Sequence, residues 1–426
     1  MKKSLMLIAA VSVASGAFTV SAQRDVRVFE ENVVTVVVNE QEADPADVEK
    51  AFKTNAPNRV RDNGLPRFAI VGKDHKFYLG IGAQFLGEGV FDWGANVPST
   101  IDFDPSALTP ATPGNGSNLG FGWQSSNIHM NIVAMPHTAN QLGIFFKAKF
   151  TGPGNGFHVS HFYAKYRGLT AGYTNSLFTD GAAEPFTIDD EGPAGIPDIT
   201  LFTAYWEQKF TNNFSGAIGI DAPTASLTTG DKTATVNQRI PAIPLYLQYG
   251  WQEGKGHVRL SGLIRPLQYR NLVKDKNTTL VGAGVQLSGM TPIAGGLSAQ
   301  FNATYGSGIS KYIQDDSDLG LDAVASTTDG KMKMVRTMGL TAGLTYNISR
   351  KVSTNVSYSH VTNWFGDSAT PAADAYRNGD YVAANVVYAI NKYVSAGLEY
   401  DYGHRSAVDG SSLHANRIQC QFAVTF

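Results

Sequence analysis

Lys147 and Lys149 stand two residues apart, as do Lys165 and Arg167, and His161 precedes that second pair by four. His257, Arg259 and Arg265 repeat the even interval, and Arg417 adds a cation close to the C-terminal Phe426. In an extended chain successive side chains point to opposite faces, so even spacing gathers these cations on one side. A second group carries the opposite sign. The stretch 177–197, LFTDGAAEPFTIDDEGPAGIP, holds Asp180, Glu184, Asp189, Asp190 and Glu191 among turn-forming Gly and Pro. Acidic and basic surfaces held close together make and break no bonds. In a low-dielectric frame they set up a transverse field that orders water and favours polar or charged solutes over apolar ones.

Bond-making chemistry has no comparable support. There is no Gly-x-Ser-x-Gly elbow, no His-Glu-x-x-His, no Walker loop and no paired-cysteine metal site. His129, His257 and His360 fall on separate extended segments, and His158 and His161 share one but point to opposite faces. His158 with Ser160 is the nearest Ser/His pair of one parity. An enzyme is not expected, and neither is a cofactor or a bound metal.

The elements that must position these charges are strands. Gly 44, Tyr 18 and Phe 23 accompany only 16% charged residues, and long helical Ala/Glu/Lys/Leu blocks are almost absent from the 426 residues. From Lys76 onward, stretches of about ten alternating residues are separated by turns. Leu142, Ile144, Phe146, Ala148 and Phe150 alternate with Gln141, Gly143, Phe145, Lys147 and Lys149, and Val394, Ala396, Leu398, Tyr400 and Tyr402 repeat the scheme. The pattern predicts sixteen strands near 76–91, 124–135, 141–150, 157–167, 169–176, 198–210, 214–221, 242–252, 257–269, 278–289, 297–308, 334–346, 352–363, 380–390, 393–404 and 414–426. Short connections alternate with mostly longer ones, which places all turns at one end of an up-and-down sheet and all loops at the other. This is the sequence pattern of a sixteen-stranded antiparallel transmembrane β-barrel with short periplasmic turns and long extracellular loops. Its apolar face, with Phe162/Tyr166, Tyr246/Trp251 and Tyr388/Tyr393 near the strand ends, is expected to meet lipid, and its polar face a wet lumen.

Residues 1–22 read as a signal peptide, with Lys2 and Lys3 before an apolar stretch and Val20-Ser21-Ala22 fitting cleavage after Ala22. Removing the two lysines leaves 32 Lys+Arg against 36 Asp+Glu, a net charge near −4, so a nucleic-acid partner is not expected. Cys420 has no partner for a disulfide within the chain. Residues 23–74 form an N-terminal periplasmic segment before the barrel at 75–426. Within it the β-branched run ENVVTVVVNE could pair as a strand, and Asp44-Pro45 starts a short helix carrying Val48 and Phe52 on one side. The segment is expected to lie in or on the barrel or to assist subunit contacts. A sharper alternative has VVTVVV engage a periplasmic partner by strand addition.

By connection count, 177–197 is the third loop-side segment, and its acids opposite the basic wall resemble the constriction of general porins. The final strand, alternating to Phe426, resembles the assembly signal of Gram-negative outer-membrane porins. GYTNSLFTD at 172–180, the following TIDDEGPAG, Leu263-Ile264-Arg265-Pro266-Leu267-Gln268-Tyr269 and the N-terminal arm look like the DcaP-like trimeric porins. That resemblance implies a homotrimer and passive uptake of small hydrophilic, often anionic, solutes. Where that family has a heptad-rich helix in its arm, this chain has the β-branched run. The competing expectation is an adhesin or receptor barrel acting through loops 92–123 and 309–333.

Overall fold

The computed structural model describes residues 34–37, 44–57, 65–66, 68–72 and 74–426 apart from 115 and 328, so the expected signal peptide lies outside the described residues. Sixteen antiparallel strands close into one barrel. Closure is made by Ser412–Thr425, whose Ala415 to Thr425 pair with Gly94 to Gln84 of Phe77–Gly94. The terminal residue completes this seam, with Phe426 and Ala83 exchanging both backbone hydrogen bonds at 2.7 and 3.0 Å.

Alternation fixes the two faces. Phe85, Phe162, Leu247, Leu287, Tyr358, Leu398 and Phe422 are exposed on the outside. Ser288, Gln300, Thr341, Ser357, Asn385 and Gln419 are buried on the inside. Tyr246 is an exception to the expected girdle: it points inward and donates to Glu207 Oε2 at 2.7 Å.

The strand boundaries follow the alternation, with three extensions. The second strand begins at Ser117, being split into Ser117–Gly122 and Asn127–Ala134, so the first loop is shorter than expected. The fourteenth starts earlier, as Tyr376–Ala389. Lys276–Ala294 runs past Met290 through a bulge at Pro292/Ala294, leaving a two-residue turn of Gly295 and Gly296 with φ of 58° and 90°. Two positive φ values make this a type I′ hairpin, whose twist matches the flanking strands. Arg167 and Gly168, with φ of 49° and 85°, form another between Gly156–Tyr166 and Leu169–Asn175.

At the loop end, Leu227–Thr228, Ala323–Ala325 and Met332–Met334 make a small separate sheet that joins two of the long connections. At the turn end the N-terminal segment joins the barrel sheet. Val34–Val37 pairs in parallel with Phe68–Val71, which pairs antiparallel with Tyr78 to Ile81. The β-branched run therefore pairs with its own chain. Pro45–Asn55 is the expected helix, with the Asp44 side chain accepting from Ala46 N at 2.9 Å.

Candidate pore and constriction loop

The 177–197 segment turns into the barrel and docks on the far wall. Glu399 accepts from the backbone N–H groups of Ile188 and Asp189 at 2.8 and 2.6 Å, and Ser359 accepts from Gly195 N at 2.8 Å. Tyr381 donates to Asp189 Oδ2 at 3.0 Å. Glycines in that wall permit the approach. A Cβ at Gly339 would lie 2.0 Å from Gly195 O, one at Gly343 2.5 Å from Pro185 Cγ, and one at Gly397 2.5 Å from Ile188 Cδ1. At its near end the loop is anchored by Asp180, which lies 2.9 Å from His257 Nε2 and accepts from Ser288 Oγ at 2.6 Å. Burial alone would raise the Asp180 carboxyl, but the His257 bond and the Arg259 guanidinium hold it well below the usual carboxylate range.

The expected basic wall separates into three groups. Lys147, Lys149 and His161 stay together on the inner face, with Lys147 directly opposite both His129 and His161 in the ladder. Lys149 pairs with Asp190 of the loop at 2.8 and 2.9 Å, and His161 Nδ1 lies 3.0 Å from Thr174 Oγ1. Arg259 belongs to the loop's root, 3.5 Å over the Tyr246 ring and 3.6 Å from Asp180.

Arg265 and Arg417 are staples for other loops. Arg265 binds Asp322 at 2.6 Å and the Gly308 and Thr224 carbonyls, tying together the connections that carry them. Arg417 grips Asp92 with two bonds of 2.7 and 3.1 Å and reaches the Ser99 and Asp102 carbonyls of the first loop. Lys165 and Arg167 sit at the turn end. Lys165 donates to the Thr54 and Ala56 carbonyls of the N-terminal segment at 3.3 and 3.5 Å. Arg167 does not share the strand's inward face: the I′ turn takes it out of the alternation, and it hydrogen-bonds Asn140 in the neighbouring hairpin.

The acids also gain partners that spacing did not reveal. Asp189 accepts from Phe103 N and Gly192 N, so it shapes the loop and clamps the first connection to it. Glu184 is buried and Glu191 half-buried. Asp102 and Asp104 from the first loop and Asp315 and Asp316 from the sixth approach the same region, with Asp315 N donating to Ala194 O and Gln314 donating to the Glu191 and Ile196 carbonyls. Burial, then the charges of Asp190 and Asp189, push Asp102 up to about 7. Asp316 is pushed up to about 7 chiefly by burial, and burial with neighbouring carboxylates raises Asp315 and Glu191 well above their ordinary values. Glu399 lies on the polar parity of VSAGLEYDYG and could have been marked from that signal; its backbone partners at Ile188 and Asp189 could not.

The N-terminal segment occupies the inner wall at the turn end. Val48, Ala51 and Phe52 are fully buried against Tyr78 and Val133, with the Phe52 and Tyr78 rings edge to face at 6.4 Å. Asn55 donates to Asn131 Oδ1 and to the Ile132 and Ile144 carbonyls, Asn131 returns a bond to Phe52 O, and Tyr163 donates to Asn55 O at 2.7 Å. The helix therefore narrows the inner wall below Lys147 and His161.

No protein-family model matches the sequence, and no curated protein matches it. Solved structures do. The outer membrane channel DcaP of Acinetobacter baumannii superposes with a TM-score of 0.72 over 84% of this chain and 99% of that one, at 18% identity. This chain has the porin fold. The anion-selective porin from Comamonas acidovorans gives 0.52 at 9% identity over 82% of this chain and all of its own, and OmpF of Salmonella typhi, solved with daunomycin, gives 0.51 at 11% identity over 82% and 98%.

Proposed function

We propose that the protein is an outer-membrane porin that lets small hydrophilic solutes diffuse passively, as a homotrimer, with a preference for anions. The observation that carries the reading is the inward-folded 177–197 loop, tied across the lumen to Glu399, Ser359 and Lys149. A barrel with an apolar exterior and a polar interior needs lipid outside and water inside. An inserted loop leaves a constriction whose charged edge is the Lys149–Asp190 pair beside Lys147 and His161. The fold likeness to channels, one of them described as anion-selective, supports the same reading.

The long loops favour a channel over an adhesin. The first is drawn inward by Arg417 and Asp189, and the sixth by Arg265–Asp322, so neither stands free as a receptor-binding arm. Planar-bilayer recording tests the proposal directly. Stepwise conductance and a reversal potential displaced toward the chloride equilibrium potential in a KCl gradient are expected. A folded protein that never opens a channel would overturn the porin reading, and a cation-selective one would overturn the anion preference.

A further inference from the structure

On the outside of the last four strands a row of ionisable side chains crosses the ladder. His360 stands opposite Asp380, Asp380 opposite His404, and His404 opposite His414. Their chain neighbours Val361, Tyr381 and Ala415 are the buried, inward residues, so the row points away from the lumen. Each member lies near the loop end of its strand, a level at which exposed charge on a barrel exterior is far better tolerated than at mid-membrane. Nothing in the pore reading uses these groups.

Asp380 organises the row. Its Oδ1 accepts from Tyr358 OH at 2.7 Å and lies 2.9 Å from His360 Nδ1, while its Oδ2 lies 3.2 Å from His404 Nδ1. An ionised carboxylate only accepts, so each contact places the ring proton on Nδ1 and, in the neutral ring, leaves Nε2 a free lone pair. Carboxylates orient metal-binding histidines in this way. The three side chains are partly accessible, at 26% for His360, 29% for Asp380 and 30% for His404, and His414 is exposed. Directly opposed residues of an antiparallel ladder have Cβ atoms about 4.5–5.5 Å apart, close enough for two imidazoles to share one cation at about 2.0–2.1 Å from each nitrogen.

We propose that His404 and His414 bind a divalent transition cation of the Zn²⁺ or Cu²⁺ class, with Asp380 orienting His404. Imidazole suits these metals rather than Ca²⁺ or Mg²⁺. Among the described residues no three His, Cys, Asp or Glu side chains are arranged to hold one ion, so the protein supplies two ligands and water or a headgroup oxygen supplies the rest. The cation would cross-link Val394–Ala407 to Ser412–Thr425, the strand that closes the barrel.

The test uses the untagged full-length protein, folded in detergent, titrated calorimetrically with Zn²⁺ and examined by electron paramagnetic resonance with Cu²⁺. One Zn²⁺ per chain and nitrogen couplings from two imidazoles are expected. His404→Ala and His414→Ala should each abolish the site, Asp380→Asn should weaken it about 10- to 100-fold, and the exposed His158→Ala should leave it intact. Unchanged heat-modifiable migration on gels and unchanged conductance show that the variants fold. No binding, or equal affinity in a His404→Ala/His414→Ala double variant, would overturn the proposal; equal affinity in Asp380→Asn would remove the orienting role.

Discussion

Replacing Gly80 and Gly143 by valine should release the N-terminal helix from the inner wall while leaving the barrel intact. Both glycines face inward, and valine suits a strand better than glycine does. The added Cβ at Gly80 would sit 2.1 Å from Pro66 Cγ and 2.9 Å from Phe52 Cζ, and that at Gly143 2.0 Å from Asn55 Oδ1. Overpacking costs about 1–3 kcal/mol per site. Losing the Asn55 bonds to Asn131, Ile132 and Ile144 removes about 1 kcal/mol each. Even the low end of these terms, about 5 kcal/mol, lowers the docked-to-undocked ratio by roughly several thousandfold. Trypsin reads the docking, because Lys53 lies on the last turn of the helix. Cleavage there should accelerate strongly in the folded double variant and by an intermediate factor in Gly80→Val alone. Single-channel conductance should rise as the turn-end mouth clears. Unchanged cleavage together with unchanged conductance would show that the glycines do not govern this joint.

Three further outcomes follow from the site. Neutralising Lys147 and Lys149 should shift the reversal potential toward cations, whereas Arg167→Gln should leave it unmoved because Arg167 sits in a turn bonded to Asn140; a shift of equal size would contradict that placement. Glu399→Ala strands the Ile188 and Asp189 N–H groups, costs about 2–5 kcal/mol of loop anchoring, and should raise open-channel noise and proteolysis within 177–197; a quiet, protected loop would argue against the clamp. The third concerns pH. Asp102 and Asp316 sit near 7 in the folded loops and near 4 when unfolded, so the folded state binds more protons. Their stabilisation is complete below pH 4 and is lost as pH rises to 7, so loop protection measured by hydrogen exchange should fall between about pH 4 and 7 and level off above. In Asp102→Asn/Asp316→Asn that fall should flatten, and an unaltered profile would refute the assignment.

The barrel was legible because its period-two pattern is written sixteen times, and the register follows from it: a one-residue slip would turn Leu398 and Phe422 inward and Glu399 outward. The inward loop was legible from its length and acidic charge. Its attachments were not, since a backbone donor such as Ile188 N leaves no mark in the sequence and becomes Glu399's partner only through the closure of distant strands. Arg167 was misplaced because Arg-Gly continues an alternating count while forming a two-residue turn. Gly80 and Gly143 carry no mark of their own in the alternation, yet they are the absences into which Pro66, Phe52 and Asn55 fit.

Charge pairing is where sequence and structure part furthest. Even spacing put eight basic groups on one wall, but a buried guanidinium is stable only with bonded partners, and the loops supplied them. Arg265 found Asp322 and Arg417 found Asp92, each adding loop carbonyls, so both hold loops rather than line a path. Of the expected wall, the proposed channel is left with the partly accessible Lys149–Asp190 pair and with Lys147 and His161 beside it. In a chain with 16% charged residues the same ions that could filter solutes are first needed to hold the loops, and the proposed anion preference rests on the few cations left over.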